Sequence, residues 1–405
     1  MRPASDSRML GALPVESATQ FSVWAPRARV ITVRVRTGPA AGEHALARDE
    51  RGVFSATVRG VRAGDDYAYR IDDGEERPDP VSRWQPHGVH GASRVVDPDA
   101  FPWRDEGWAG IDMADFVIYE LHVGTFTPEG TFDAVIPRLA SLRDLGVTAI
   151  EIMPVAQFPG DRNWGYDGVS LYAPQNSYGG PDAFKRLVSA AHAHGLAVVL
   201  DVVYNHLGPE GNYLAEFGPY FTDAYRTPWG RAINYDGPDS DEVRAFVIEN
   251  ARYWVREFHI DALRLDAIHG IFDFQATHIL AELAEQVHET AAELGRKVQV
   301  IGESDLNDPR LVRSPERGGL GLDAQWSDDF HHAVHVALTG ESTGYYKGFA
   351  EYRDGAAHAL RRTLARRFAF EGQYASHRRR RHGAPAYDVS ADHFVIFVQN
   401  HDQVG

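Results

Sequence analysis

Cysteine is absent from the 405 residues, which excludes disulfides and thiolate chemistry and says little else about compartment. Long apolar runs are missing too. Met1 to Leu13 contains none, so neither a secretory signal nor a membrane span is legible, and a cytoplasmic location is the default expectation. Positive charge is scarce. A formal net charge of -16 argues against a nucleic-acid partner or an anionic membrane surface. No internal repeat or low-complexity tract is evident. One basic run, HRRRRHG (His377 to Gly383), stands out in this acidic chain, and a solvated loop is favoured there over a ligand site.

What is present describes a globular protein. The apolar fraction of 43% is enough for a buried core, and the length allows two or three domains, or one barrel with an accessory domain. From about Gln20 to Val96 the runs FSVWAP, RVITVRV, GVFSATV and DDYAYRI alternate apolar and polar residues between turns. A small β-sandwich over residues 1–96 is expected. The stretch DPDAFPWRDEGWAGID, rich in Pro, Trp and acids, reads as a linker over 97–114.

Strands then alternate with helices, the mark of parallel βα units. Candidate strands are FVIYELHVG, VTAIEIMP, AVVLDVVY, DALRLDAI, VQVIGES, LDAQWS and HFVIFVQN. Between them, PDAFKRLVSAAHAHG and SDEVRAFVIENARYWVREF read as helices. In the second, Val243, Phe246, Val247, Asn250 and Trp254 share a face. Asp182 and Ser240 are placed as possible caps, and Gly195 as a C-terminal stop. The fold class is therefore α/β: a (β/α)8 TIM barrel over 115–405 preceded by the β-sandwich. Only seven strands are legible before Gly405, and a closed barrel needs an eighth to cover its edges. The expectation is a barrel truncated after its seventh strand.

Four segments end such strands in polar residues: DVVYNH, LRLDAIHG, IGES and QNHDQ. Side chains at the C-terminal ends of barrel strands converge on one pocket. That brings Asp266, Glu303 and Asp402 together with Arg264, His206 and His401. Such a group is costly to assemble for packing alone. It suits glycosidic-bond cleavage, in which one acid attacks, one donates a proton and positive charge develops on the sugar. A neutral polyhydroxylated substrate also fits the acidic composition.

Residues 264 and 266 share a strand face, and an arginine beside Asp266 keeps it ionised for attack; a buried ion pair supporting the barrel is the equal alternative. Glu303 lies in a small, apolar run that favours the protonated form a general acid requires, while a loop or capping acid is the plainer account. Adjacent strands lie about 4.8 Å apart, so the two carboxyls can sit about 5–5.5 Å apart, the spacing of a retaining mechanism. Asp402 is placed to bind sugar hydroxyls and distort the ring, against the plainer reading of a solvated residue near the chain end. His206 is placed as a donor to a sugar hydroxyl and Asp201 as a structural partner of Arg264, whereas Asn205 either orients a loop or ligates a cation. In NWGYDGVSLYAP, Tyr166 is favoured for stacking on a sugar, with Trp164 and Tyr172 evenly divided between stacking and core. The long loop GPYFTDAYRTPWG adds aromatics beside the third strand.

Together the four segments, in order and with βα spacing, resemble the signature regions of the α-amylase superfamily of glycoside hydrolases. The resemblance implies Asp266 as nucleophile, Glu303 as acid/base and Asp402 as transition-state stabiliser. It also implies substrate contacts from Tyr166, His206, Arg264, His269 and His401, with Asp201 and Asn205 in support. FSVWAPRARVITV resembles the β-sandwich that precedes the barrel in branching, debranching and trehalose-releasing members. The segments NHLGPEGNYLAEFGPYFTD, IGESDLNDPRLV and WSDDFHHAVH resemble the members that cleave the α-1,4 bond next to a terminal trehalose of a maltooligosyltrehalose. DALRLDAIHG, where some relatives read DGLR or DGFR, is a mild departure. On the same basis Asp328, Phe330 and His331 are expected to help bind the trehalose end, although a helix-start acid cluster facing the dipole explains them equally. Members normally carry a further strand and a C-terminal β domain, neither of which is legible here. No cofactor or metal is expected. The expected partner is a maltooligosyltrehalose or other α-glucan, without nucleic acid or membrane, for a monomer or weak homo-oligomer. A branching or debranching enzyme is the rival reading, and a non-catalytic glucan-binding barrel the remote one.

Overall fold

The computed structural model describes residues 10–403, so the first nine residues of the opening segment and the last two of the chain lie outside it. The alternating runs form two antiparallel sheets. One has the order Gly11–Val15, Ala18–Trp24, Val53–Arg59, Ala47–Arg48. The other runs Gly42–Ala45, Ile31–Val35, Asp66–Ile71, Glu76–Arg77, and Ser93–Arg94 also pairs with Asp66–Ile71. Period-two patterning decides the faces. Ile31, Val33 and Val35 are buried while Arg34 is exposed, and Phe21, Phe54, Tyr67 and Tyr69 fill the interior.

Beyond the linker, seven strands form one parallel sheet in chain order: β1 Ile118–Leu121, β2 Ala149–Ile152, β3 Ala197–Val202, β4 Ala262–Leu265, β5 Gln299–Gly302, β6 Ala324–Trp326 and β7 Phe394–Val395. Each strand falls in a run read from the sequence. The last is shorter than its run, because β6 is its single sheet neighbour among the described residues and Ile396 and Val398 are exposed. The sheet curls far enough that His401, after β7, hydrogen-bonds Glu120 on β1. Outward residues such as Ile150, Ile152, Leu200, Leu263 and Val300 join the main core. Inward positions are mostly smaller, with Ala149, Ala197, Val199, Ala262, Ile301 and Ala324 closed off by Trp108, Ile111 and Met113.

Helices α1 Leu139–Leu145, α2 Gly180–Ala193, α3 Ser240–Phe258, α4 Ile279–Leu294, α5 Asp328–Thr339 and α6 Ala356–Arg366 lie in the connections. The face of α3 read from its periodicity is buried throughout. The proposed caps are not used. Gly179 caps α2 and Asp182 sits in its first turn; Asp239 precedes α3, and the Ser240 hydroxyl instead accepts from Gln275 at 3.1 Å. Both acids still favour the positive end of the helix dipole. Gly195 stops α2 as expected, with φ of 75° and its N–H on His192 O. Among the described residues no helix is long and apolar enough to cross a membrane.

The linker is fastened under the barrel. Asp105 accepts from His192 Nδ1 at 2.7 Å and from His259 Nδ1 at 2.8 Å, while His192 Nε2 lies 2.9 Å from Asp261, just before β4. Trp108 donates to Asp261 at 2.7 Å and stacks on His192, and Trp103 stacks on His259. Burial works against charge on His192, but its hydrogen bonds to Asp105 and Asp261 leave its value raised. The ion pair therefore stabilises fully below the ordinary histidine value and fades as pH climbs through the raised one. Asp105→Ala should cost about 3 kcal/mol at pH 6 by urea unfolding, with a smaller deficit at pH 9. An equal deficit at both would assign the clamp's strength to packing.

Candidate active site

Strand parity brings the polar residues together. Asp201 on β3, Arg264 on β4 and Ile301 on β5 are in register, so the residues beyond the last two strands emerge side by side at one end of the sheet. Arg264 is 2% exposed and serves three acids. Its Nη1 donates to Asp201 at 2.8 and 2.9 Å and to Asp266 Oδ1 at 2.9 Å, and its Nη2 lies 3.1 Å from Glu303 Oε2. Burial opposes its charge, but Asp201, Glu303 and Asp266 hold it protonated. Burial in turn pushes the Asp201 carboxyl up, with Arg264 pulling against it.

Asp266 is fixed from a second side. Asn205 Nδ2 donates to its Oδ2 and to its backbone carbonyl, both at 2.7 Å. Asn205 Oδ1 also contacts His206 Nδ1, so its amide is spent on orienting neighbours. After Asp266 the chain takes a left-handed turn at Ala267, φ 39°, an uncommon conformation for a residue with a Cβ. The turn aims the Ala267 N–H at Glu303 Oε2, 2.6 Å away. Glu303 therefore does not sit in the apolar setting its flanking sequence suggested, because Arg264 and this amide both face it.

Tyr166 and His401 form the other wall. Tyr166 donates to Asp201 Oδ2 at 2.7 Å, its oxygen lies 2.8 Å from His401 Nε2, and the two rings stack at 5.2 Å. Trp164, 44% exposed, meets His401 edge-on, whereas Tyr172 is core, its hydroxyl on Phe246 O. Gly165 sets this turn: its φ is +101° and a Cβ would stand 2.0 Å from Pro154 O. Asp402 is half exposed, and its Oδ1 lies 3.5 Å from His401 Nε2. Burial and Glu303 raise its carboxyl, with His401 opposing.

His206 is buried and stacks at 5.3 Å on Trp229, which is 45% exposed and also stands near the exposed His269. Asp328 begins α5, its carboxyl pushed up to about 8 by burial and by the charges of Glu303, Asp305, Asp329 and Asp402. Phe330 is half-buried. His331 is placed differently from expectation: it is 1% exposed, its nitrogens engage Val398 O and Tyr346, and it stacks on Phe397. It anchors α5 to the end of the seventh run and is closed to a substrate, because both ring nitrogens are spent. In the basic run, Arg379, Arg380 and Arg381 are exposed as expected, but Arg378 turns inward to Asp305 at 2.6 Å. Among the described residues, no group of three or more His, Cys, Asp or Glu side chains is arranged to hold a metal ion.

Three residues of the site were missed from sequence: Glu120, Glu151 and Trp229. The first two are single acids at inward positions of otherwise apolar strands, IYEL and AIEI, and that parity was the available signal. Nothing local distinguishes Trp229 from its aromatic neighbours.

A curled parallel sheet carrying an acid-rich, arginine-centred pocket at one end, after a β-sandwich, defines a glycoside hydrolase of the alpha-amylase kind. Residues 89–227 match the alpha amylase catalytic domain, and residues 9–86 match carbohydrate-binding module 48, the isoamylase N-terminal domain. The malto-oligosyltrehalose trehalohydrolase of Saccharolobus solfataricus is 51% identical over 96% of this chain and 67% of that protein. That of Arthrobacter ramosus is 51% identical over 95% of this chain and 66% of its own. The crystal structure of a putative alpha amylase from Salmonella typhimurium superposes with a TM-score of 0.90 at 43% identity, over 98% of this chain and 66% of that one. The chain belongs to the malto-oligosyltrehalose trehalohydrolase family, within the alpha-amylases. It spans about two thirds of the length of these relatives.

Removing the shared cation isolates its role. Arg264→Met should lower stability by about 3–5 kcal/mol at pH 7 by urea unfolding, since it leaves acids buried and unpaired. The deficit should narrow towards pH 4, where protonated carboxyls tolerate burial.

Proposed function

We propose that this chain carries the barrel chemistry of a retaining glycoside hydrolase that cleaves the α-1,4-glucosidic bond next to the terminal trehalose of a maltooligosyltrehalose and releases trehalose. The observation that carries the reading is the single guanidinium of Arg264 shared by Asp266 and Glu303 at neighbouring strand ends. It supports a division of labour. Asp266, held by Arg264 and Asn205, presents an ionised oxygen to the anomeric carbon. Glu303 gives its proton to the glycosidic oxygen as that bond breaks, and a glycosyl ester forms on Asp266. Glu303 then takes a proton from water, whose oxygen attacks the same carbon and releases Asp266, so the configuration is retained. Asp402 and His401 face the sugar hydroxyls, Asp402 favouring the distorted, oxocarbenium-like ring. Tyr166, His206 and His269 line the subsite, and Trp229 offers a partly exposed ring for stacking. Asp328 and Phe330 are assigned to the trehalose end, and Asp201 acts through Arg264 and Tyr166.

The choice of trehalose over branch points rests on the names of the relatives, because a branching or debranching enzyme shares the sandwich and the four motifs. Incubation with maltotriosyltrehalose should give trehalose and maltotriose in equal amounts by chromatography. New α-1,6 branches or linearised chains from a glucan, without trehalose, would move the assignment to the rival group. Asp266→Asn and Glu303→Gln should each lower trehalose release by about 10³-fold or more with an unchanged circular dichroism spectrum. A variant with a near-normal rate would remove that residue from its role.

A further inference from the structure

We propose that Glu120 is a positioning residue for the hydrolysis: reaching across the curled sheet from β1, it clamps His401 and keeps the imidazole doubly protonated beside Asp402. The proposal builds on the function proposed above but has a test independent of it.

The geometry is a closed set of donors and acceptors. Glu120 Oε2 accepts the backbone N–H of His401 at 2.8 Å, and its Oε1 lies 2.6 Å from Nδ1 of the same residue. One carboxylate thus fixes both the main chain and the ring, immediately before Asp402. On the far side, His401 Nε2 lies 2.8 Å from Tyr166 Oη. Tyr166 has one hydroxyl proton, and it points to Asp201 Oδ2 at 2.7 Å, an atom already ion-paired with Arg264. Its oxygen must therefore accept, and Nε2 carries a proton. Nδ1 faces a carboxylate and carries one as well. The ring is an imidazolium, with Asp402 Oδ1 3.5 Å from its Nε2.

A second acid accounts for where the negative charge resides. Glu151 on β2 is the register partner of Glu120, is fully buried, and neither of its oxygens has a hydrogen-bond partner among the described residues. Burial first, and Glu120 second, push its carboxyl well above the usual range, which favours its neutral form. For Glu120, burial is outweighed by the hydrogen bonds from His401, which hold it low. The pair on adjacent strands divides into one neutral acid and one anion, and the anion faces the imidazole. The charged and titratable groups around His401 are then Glu120 on β1, Glu151 on β2, Tyr166 in the loop after β2, Asp201 on β3, Arg264 on β4 and Asp402 next in the chain.

The test uses the whole chain with histidine-selective 13C and 15N labelling, the His401 signal being assigned by its loss in His401→Asn. In the unmodified protein His401 should titrate above the ordinary histidine range. In Glu120→Gln its midpoint should fall by about one unit or more. Glu151→Gln, which replaces a neutral group with a neutral group, should leave it in place. If trehalose is released, the alkaline limb of kcat/KM should move down with the midpoint in Glu120→Gln, and kcat should fall about tenfold while KM changes little. Should Glu120→Gln fail to fold, Glu120→Asp decides, since the shorter arm keeps the charge but loses the Nδ1 contact. An unmoved midpoint in the Glu120 variants, or a lowered melting temperature with an unmoved pH profile, overturns the proposal. A protein that releases no trehalose overturns the function proposed above, and the titration still decides the role of Glu120.

Discussion

Arg264 brings one buried positive charge to a site that otherwise collects acids. Its side chain is enclosed, and desolvating an ion is expensive unless geometry and hydrogen bonding compensate. Compensation here comes from the two acids proposed for the chemistry and from Asp201. Asp201 takes one nitrogen with both oxygens, Asp266 shares that nitrogen, and Glu303 takes the other. The planar, rigid fork of a guanidinium spreads its donors over two nitrogens, so carboxylates on neighbouring strands can be held at separate atoms, whereas an ammonium gathers its donors on one. On the proposed mechanism, stability and reactivity rest on the same contacts.

The remaining contacts adjust this arrangement. Asn205 and the Ala267 turn fix the acids from outside the ion pair, and Tyr166, donating to Asp201, links it to the His401 side of the pocket. The first strand and the residues after the seventh meet through Glu120, so the rim of the pocket is joined by side chains where the described sheet has its two edges.

Much of this was legible in the sequence, for identifiable reasons. Strand alternation places Arg264 and Asp266 on one face without further knowledge, and β-branched runs ending in acids mark the strand ends. The buried face of α3 follows from its period. What period and propensity do not encode is tertiary. Ser240 looks like a cap but bonds Gln275, and His331 looks like a pocket residue but is consumed by Val398 and Tyr346. Glu303 looked apolar in setting because its neighbours in sequence are small, while its neighbours in space are Arg264 and an amide. Glu120 and Glu151 are inconspicuous in sequence because a single acid barely disturbs an apolar strand pattern, although an acid at an inward position is a costly choice.

The linker under the barrel carries a consequence for dissection of the protein. By strand boundaries, the sandwich ends near residue 94 and the barrel begins near 118, and everything between resembles a spacer. Energetically that spacer belongs to the barrel. Trp108 covers its inward alanines, and Asp105 holds two histidines, one from α2 and one from the turn after α3, by hydrogen bonds. A barrel excised at residue 115 would lose its own floor. The floor of the barrel thus begins several residues nearer the sandwich than the pattern of strands implies.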